Sequence, residues 1–367
     1  MRLVLVYGYE PSGHSSAALA LEAAARFLGH EARRVNISAD YHPVLGPALA
    51  GTYLQVVQKA PGLWDYLYDN PALLAAAQGL RRFYLLMAGG KLQEALSHLK
   101  PEAIVCTHAP PLGFLAARKG KGEGCPVVAA ITDYGVHSYW ANPQADLYLV
   151  AGERSAQDLS SRGVPPAKIR VTGIPIHPIF GEPLDRACAR RAFGLAPQAR
   201  VLLLTGGSRG LGALEGMVRS LLEELGEVFV LAACGNNREL HESLASAGDP
   251  RIKAYGTLEP GGMRELLAAS DLVIGKGGGL TAAEAMALGV PMLIVDPIPG
   301  QEERNAEFLT RQGAALRAGP SQVGRQVRAL LEHPDRLERL AQKARALGRP
   351  DSARACLEAI LQTAAVA

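Results

Sequence analysis

Short apolar runs alternating with Ala/Leu/Arg-rich stretches of helical pattern constrain this chain more than any other feature. In the first half the runs are Leu3–Tyr7, Ala103–Thr107, Val127–Ile131, Leu147–Val150 and Ile169–Thr172. In the second half they are Val201–Thr205, Val228–Ala232, Ile252–Tyr255, Leu272–Ile274 and Met292–Val295. Such alternation predicts parallel sheets of βα units, and each half holds enough strands for one doubly wound sheet. Between the halves, Pro175, Pro178 and Pro183 in "GIPIHPIFGEPLDR" block regular structure and stiffen the chain.

The expected organisation is an α/β protein with a Rossmann-like domain over 1–174, a linker over 175–183 and a second Rossmann-like domain over 184–349. A terminal helix over 350–367, opened by Asp351 after Pro350, would pack back on the first domain. Two doubly wound domains facing across a cleft would bind ligands at the carboxyl ends of their strands.

Composition narrows the function. A net charge of +3 over 367 residues is too balanced for a nucleic-acid binder. Cys106, Cys125, Cys188, Cys234 and Cys356 are scattered without a CxxC pair, as expected of reduced thiols and not of a disulfide frame or zinc site. No apolar run approaches the roughly 18 residues that span a bilayer, and "RLVLVYGY" enters a strand without signal-peptide anatomy. The expectation is a cytoplasmic protein whose membrane contact, if any, is peripheral.

Two glycine-rich corners carry the chemistry of the second half. "TGGSRGLG" (Thr205–Gly212) follows one strand, and "KGGGLTAAE" (Lys276–Glu284) follows another and opens a helix. Glycine lets backbone N–H groups approach an anion, and a helix N-terminus adds partial positive charge. A phosphate at Gly278–Thr281 would use both, with the Thr281 hydroxyl as a further donor. Glu284 has the chemistry to accept both hydroxyls of a ribose, or to form a plain capping box with Thr281. The same glycines would also suit a tightly packed βα turn that binds nothing. Neither loop matches GxxxxGK[ST], and "GYEPSGH" lacks GxGxxG, so an NTPase or a dinucleotide enzyme is disfavoured. Gln301 and Glu302 follow the rigid Pro299-Gly300 turn, where a carboxamide and a carboxylate suit sugar hydroxyls.

In the first half, His14 stands just after the first strand in "YGYEPSGHSSAALAL". It is the candidate general base, with a helix-start histidine or a phosphate-binding imidazolium as the other readings. Asp133 ends another strand and would orient His14, bind an acceptor hydroxyl or cap a helix. Trp140 follows as an acceptor-side or core residue. The segment "TYLQVVQKAPGLWDYLYDNP" and the following "LRRFYLLMAGGKL" concentrate aromatics, among them Trp64 and Tyr66, beside Arg81 and Arg82. That mixture suits either an anionic bilayer interface or amphipathic helices packed on a sheet.

The block "KGGGLTAAEAMALGVPMLIVDPIPGQEERNAEFL" resembles the donor-site signature of the glycolipid glycosyltransferases: the monogalactosyl-diacylglycerol synthases and the processive diacylglycerol glucosyltransferases. "TGGSRGLG" resembles the glycine loop shared with the peptidoglycan-precursor UDP-GlcNAc transferase. The likeness extends to "ITDYGVHSYW", "VTGIPIHPIF" and "PSGHSSAALAL", and so spans both halves. It implies the two-domain GT-B fold and transfer of glucose or galactose from a UDP-sugar to diacylglycerol or glycosyl-diacylglycerol. It further implies inversion, with a base at His14. Gly278, Gly279, Leu280 and Thr281 would hold the diphosphate with help from Lys276, Gly207 and Ser208. Glu284 would take the ribose, Gln301 and Glu302 the sugar, and the loop Tyr255, Gly256, Thr257 the uracil. The family usually shows extra glycines before the histidine, where this chain has Glu10-Pro11-Ser12. No cofactor is expected, and no DxD metal motif stands in the sequence. The expected partners are a UDP-hexose, the lipid acceptor and an anionic membrane surface on the cytoplasmic face. The competing readings are a UDP-GlcNAc-using enzyme of the same fold, either a polyprenyl-precursor transferase or a 2-epimerase, and a non-catalytic nucleotide-sugar sensor.

Overall fold

The computed structural model describes residues 1–41, 92–119 and 124–366. The chain divides into two compact units: Met1–Pro178 with Ile298–Gln301 and Asp351–Ala367, and Ile179–Pro297 with Glu302–Pro350. Each unit is built on its own parallel sheet.

The first unit holds β1 (Arg2–Tyr7), β2 (Glu31–Asn36), β3 (Ala103–Cys106), β4 (Val127–Ala130), β5 (Leu147–Val150) and β6 (Ile169–Val171). They pair in parallel in the order β2-β1-β3-β4-β5-β6. Alternate residues of β1 feed two cores. Leu3, Leu5 and Tyr7 pack with Leu21 and Ala24 of the helix Gly13–Phe27 and with Leu357 and Ile360 of the helix Ser352–Val366. Val4 and Val6 pack on the other face with Leu112 and Leu115 of the helix Ala109–Lys119. Both faces are covered, which is why these strands read as continuous apolar runs. The terminal helix is tied further by the Ile176 N–H, which donates to Ser352 Oγ at 3.2 Å. All five cysteines are free thiols.

The second unit holds β7 (Val201–Thr205), β8 (Phe229–Ala233), β9 (Ile252–Tyr255), β10 (Leu272–Gly275), β11 (Met292–Val295) and β12 (Ala315–Ala318). Their order is β12-β11-β10-β7-β8-β9, again all parallel. Two strands escaped the sequence reading, β2 ("EARRVN") and β12 ("ALRA"), and each is the outermost strand of its sheet. Arg33, Arg34 and Asn36 in β2 and Arg317 in β12 break the apolar run, which an edge strand tolerates because it has a neighbour on one side only.

Arg190 joins several pieces of the second unit and is 5% exposed. It donates from Nη2 to Asp271 Oδ1 at 2.7 Å, from Nε to the Ala269 carbonyl at 2.9 Å and from Nη1 to the Pro197 carbonyl at 2.6 Å. Asp271 Oδ2 in turn accepts the Val201 N–H at 2.9 Å, at the start of β7. Removing one partner of a buried, hydrogen-bonded ion pair strands the other. Asp271→Ala is therefore expected to lower unfolding free energy by about 3–5 kcal/mol. Glu307→Ala, which breaks the exposed pair with Arg311, should leave the midpoint unchanged. Denaturant titration of the two variants tests this, and equal midpoints would contradict it.

Candidate functional site

In the second unit the strand ends named by sequence lie side by side. β11, β10, β7, β8 and β9 are consecutive in the sheet, so the corners that follow them line one carboxyl edge. The β7 corner carries Gly207 and Ser208, the β10 corner Lys276–Glu284, and the β9 corner Tyr255, Gly256 and Thr257.

The corners are locked together by close backbone approach. A Cβ on Gly210 would overlap the Cys234 carbonyl oxygen, and one on Gly235 would overlap that of Ser208. Both glycines also adopt left-handed φ, +58° and +57°. The Asn236 N–H donates to the Ser208 carbonyl at 3.0 Å, and Asn237 Nδ2 donates to the Gly210 carbonyl at 3.2 Å. The β8 corner, Cys234–Asn237, was not singled out in the sequence. Its signal was present as "CGNN", a glycine and two turn-forming asparagines at a strand end.

At β10, Gly278 is the N-cap of the helix Gly279–Ala287 and supplies no side-chain cap. The first intrahelical bond is the Ala282 N–H to the Gly278 carbonyl, at 2.9 Å. The N–H groups of Gly279, Leu280 and Thr281 thus have no partner within the helix, the arrangement that suits an anion. Leu280 is 8% exposed, so its side chain belongs to the core and only its backbone can serve a ligand. Gly277 has φ +82°, and its carbonyl accepts from the fully buried Asn305 side chain at 3.2 Å. Asn305 was missed as a support of this loop; "ERNAEFL" reads only as an ordinary helix start.

Lys276 sits between the two glycine corners. Its Cε lies 3.4 Å from where a Gly212 Cβ would stand. Burial lowers its pKa, while Glu302 and Asp296 nearby oppose the fall. Glu302 Oε1 is 3.8 Å from a notional Gly278 Cβ, so this carboxylate lies close to the β10 corner. Thr205, Gly212, Gly275, Lys276 and Asp296 line a small pocket between the two corners. Gln301 opens the helix Gln301–Arg311 and falls in the first unit, whereas Glu302 falls in the second. Glu284 is partly buried, and desolvation pushes its carboxyl up to about 8. Tyr255 turns its ring edge-on to Phe193 at 5.9 Å between centroids, and its carbonyl accepts the Cys234 N–H at 2.8 Å.

In the first unit three neighbouring strand ends converge. His14 follows β1, His108 follows β3, and Thr132 follows β4. The His14 and His108 rings stack with centroids 4.3 Å apart and 29° between planes, and the Tyr9 ring stands edge-on to both. Thr132 Oγ1 is 3.0 Å from His14 Nδ1, and Thr107 Oγ1 donates to the His14 carbonyl at 2.9 Å. Ser12 caps the helix that carries His14 through a reciprocal bond with Ser15. Desolvation lowers the His14 pKa to about 4, so the ring is neutral near pH 7.

Asp133 is partly buried beside Thr132, which supplies the oxygen on His14 Nδ1. Trp140 takes the core place of its two readings, which removes it from the acceptor side. It is 2% exposed, packed in the core of the sheet face that holds Leu112 and Tyr148. Trp64, Tyr66, Arg81 and Arg82 lie outside the described residues. Among the described residues, no helix is long and apolar enough to cross a membrane.

Comparisons with known proteins agree with this architecture. Residues 14–176 match the family described as monogalactosyldiacylglycerol (MGDG) synthase, and residues 201–355 match the glycosyltransferase family 28 C-terminal domain. A processive diacylglycerol beta-glucosyltransferase of Bacillus pumilus is 29% identical over 98% of this chain and 94% of its own. The enzyme of that name from Bacillus subtilis gives the same identity and coverage. Among solved structures, Acinetobacter baumannii MurG matches with TM-score 0.63 and 20% identity, covering 99% of this chain and all of its own. A Neisseria meningitidis UDP-GlcNAc 2-epimerase bound to UDP-GlcNAc matches with TM-score 0.64 and 16% identity, over 99% of this chain and 100% of its own. The protein is a glycosyltransferase of the GT-B fold. Over nearly its whole length it is similar to the glycolipid glycosyltransferases, the family of the MGDG synthases and the processive diacylglycerol glucosyltransferases.

The raised Glu284 pKa has a consequence for stability. Between the ordinary carboxyl value of 4.5 and about 8, the native state keeps a proton that the unfolded chain releases. Stability should fall with rising pH across that window, by roughly 1.4 kcal/mol per unit at most. Glu284→Gln is expected to be more stabilising at pH 8 than at pH 5. Urea melts at the two pH values check this, and a gain independent of pH would refute it.

Proposed function

We propose that this protein transfers a hexose from a UDP-sugar to the hydroxyl of diacylglycerol or a glycosyl-diacylglycerol, with inversion at the anomeric carbon. The neutral, desolvated His14 at a strand end carries the reading, because an acceptor hydroxyl needs a base that is unprotonated near neutral pH. Relatives named for this reaction, aligned along nearly the whole chain, support the lipid acceptor. Solved neighbours of the same fold bound to UDP-GlcNAc or UDP-glucose support the donor class.

In this reading the first unit handles the acceptor and the second the donor. The acceptor oxygen attacks the anomeric carbon, and its proton passes to His14. The bond from that carbon to the diphosphate breaks, and UDP leaves with the electron pair. The growing charge on the diphosphate meets the N–H groups of Gly279, Leu280 and Thr281 and the Lys276 ammonium, donors fixed before the reaction begins. Glu284 accepts the ribose hydroxyls as a carboxylate. Gln301 and Glu302 hold the hexose, and the backbone of the Tyr255–Thr257 corner meets the uracil. The lipid acceptor is reached from the cytoplasmic face of an anionic membrane by peripheral attachment.

Incubation of the protein with UDP-glucose, UDP-galactose or UDP-GlcNAc and diacylglycerol vesicles, with product mass read out, tests the whole reading. A hexosyl-diacylglycerol should form, and should still form in EDTA. A UDP-GlcNAc product or epimer would favour the related enzymes, and an unconsumed donor would favour a sensor. His14→Ala should cut turnover by about 10²–10⁴-fold while donor binding persists. The base is active when neutral, so its acid limb in kcat should lie well below 6.5, toward about 4. A limb at 6.5 would mean that the ring is solvated in the working complex.

Gln301→Ala and Glu302→Ala should weaken use of the sugar donor far more than binding of UDP, each by about 0.5–3 kcal/mol. Calorimetry with UDP and UDP-hexose decides, and equal losses for both ligands would remove these residues from the sugar site.

A further inference from the structure

The His14 ring is held from two directions by residues with no assigned part in the reaction. Thr132 Oγ1 lies 3.0 Å from Nδ1, and His108 covers one face of the ring at 4.3 Å between centroids. Thr132 is 3% exposed, so this contact is shielded from competing water. His108 has its place because residue 8 is glycine: a Cβ there would overlap His108 Nδ1. Tyr9 closes edge-on against both rings at 6.3 and 5.7 Å, so they cannot tilt apart freely.

The contact at Nδ1 can form in two ways. Either Thr132 Oγ1–H donates to an unprotonated Nδ1, or Nδ1–H donates to Thr132 Oγ1. In the first, the neutral ring carries its proton on Nε2 and has no lone pair there. In the second, Nε2 holds the lone pair and can take a proton from a substrate hydroxyl. We infer that Thr132 and His108 are the positioning residues of the base: Thr132 accepts from Nδ1–H and so selects the tautomer with a basic Nε2, and the stacked His108 fixes the ring plane. The inference rests on His14 as the base of the proposed function. Neither residue touches the reacting atoms in this scheme. Both act through His14, the donor corners belong to the other unit, and donor binding is untouched.

The test joins a spectrum to kinetics. Full-length protein labelled with ring-¹⁵N histidine gives the tautomer of His14 from long-range ¹H–¹⁵N correlations, with His14→Gln identifying the signal. The wild type and Thr132→Ser should show the Nδ1–H form, and Thr132→Val should lose it. In vesicle assays Thr132→Val and His108→Ala should lower kcat by about 10-fold or more, a share of what a general base contributes, with donor KM within about 2-fold. Thr132→Ser and His108→Phe, which keep the hydroxyl and the stacked ring, should restore most of the rate. Gly8→Ala, which displaces His108, should behave as His108→Ala. An Nε2–H tautomer in the wild type would overturn the inference, as would unchanged kcat in Thr132→Val and His108→Ala. If the wild type transfers no sugar at all, the proposed function falls, and the tautomer alone still decides the part assigned to Thr132.

Discussion

Close approach at the carboxyl ends of parallel strands is the constraint on which both units depend. In the second unit Gly206, Gly210, Gly235 and Gly275 each stand where a Cβ would collide with neighbouring backbone, and Gly275 faces Thr205 across the β10–β7 pair. In the first, Gly8 makes room for the His108 ring. Removing the side chain at these points lets successive loops nest against one another, and nested loops cannot reorient independently. The unbonded N–H groups at Gly279–Thr281 therefore sit on a rigid frame before any ligand arrives, where fixed dipoles are most effective.

Desolvation then sets the charge states. His14 is pushed down to about 4 and Glu284 up to about 8, both toward the uncharged form. Lys276 is pushed the same way but is held back by Glu302 and Asp296, so charge at the donor corner depends on a small acidic partnership. A neutral imidazole in one unit and a lysine beside helix-start N–H groups in the other would suit the proposed transfer, which takes a proton from one partner and leaves charge on the other. Glu284 fits differently. Hydrogen bonds from a diol would favour its ionised form, so a diol bound there would release its proton.

The interior of each sheet was legible in the sequence because burial on both faces leaves uniform apolar runs, as in Val201–Thr205 and Leu147–Val150. The edge strands β2 and β12 were not, since arginines and an asparagine interrupt their apolar pattern. The glycine corner at Gly278 and the helix Gly279–Ala287 could be read from a local pattern, because the corner and its helix are contiguous in the chain. Trp140 and Leu280 show the limit of that reading. Each side chain lies near a site in sequence but turns inward, and exposures of 2% and 8% reflect packing needs that no motif records.

By itself the sequence determined the βα alternation, the glycine corners, the candidate base and the family likeness, all carried by short contiguous stretches. Only the tertiary structure decided what stands beside His14. His108 lies in no motif singled out in the sequence, and Thr132 precedes Asp133 without a signal of its own. Yet β1, β3 and β4 are neighbours in the sheet though far apart in the chain, and their pairing brings the three strand ends together. Strand order is settled by how crossovers pack the sheet faces, and one sequence does not spell out which strand ends will meet.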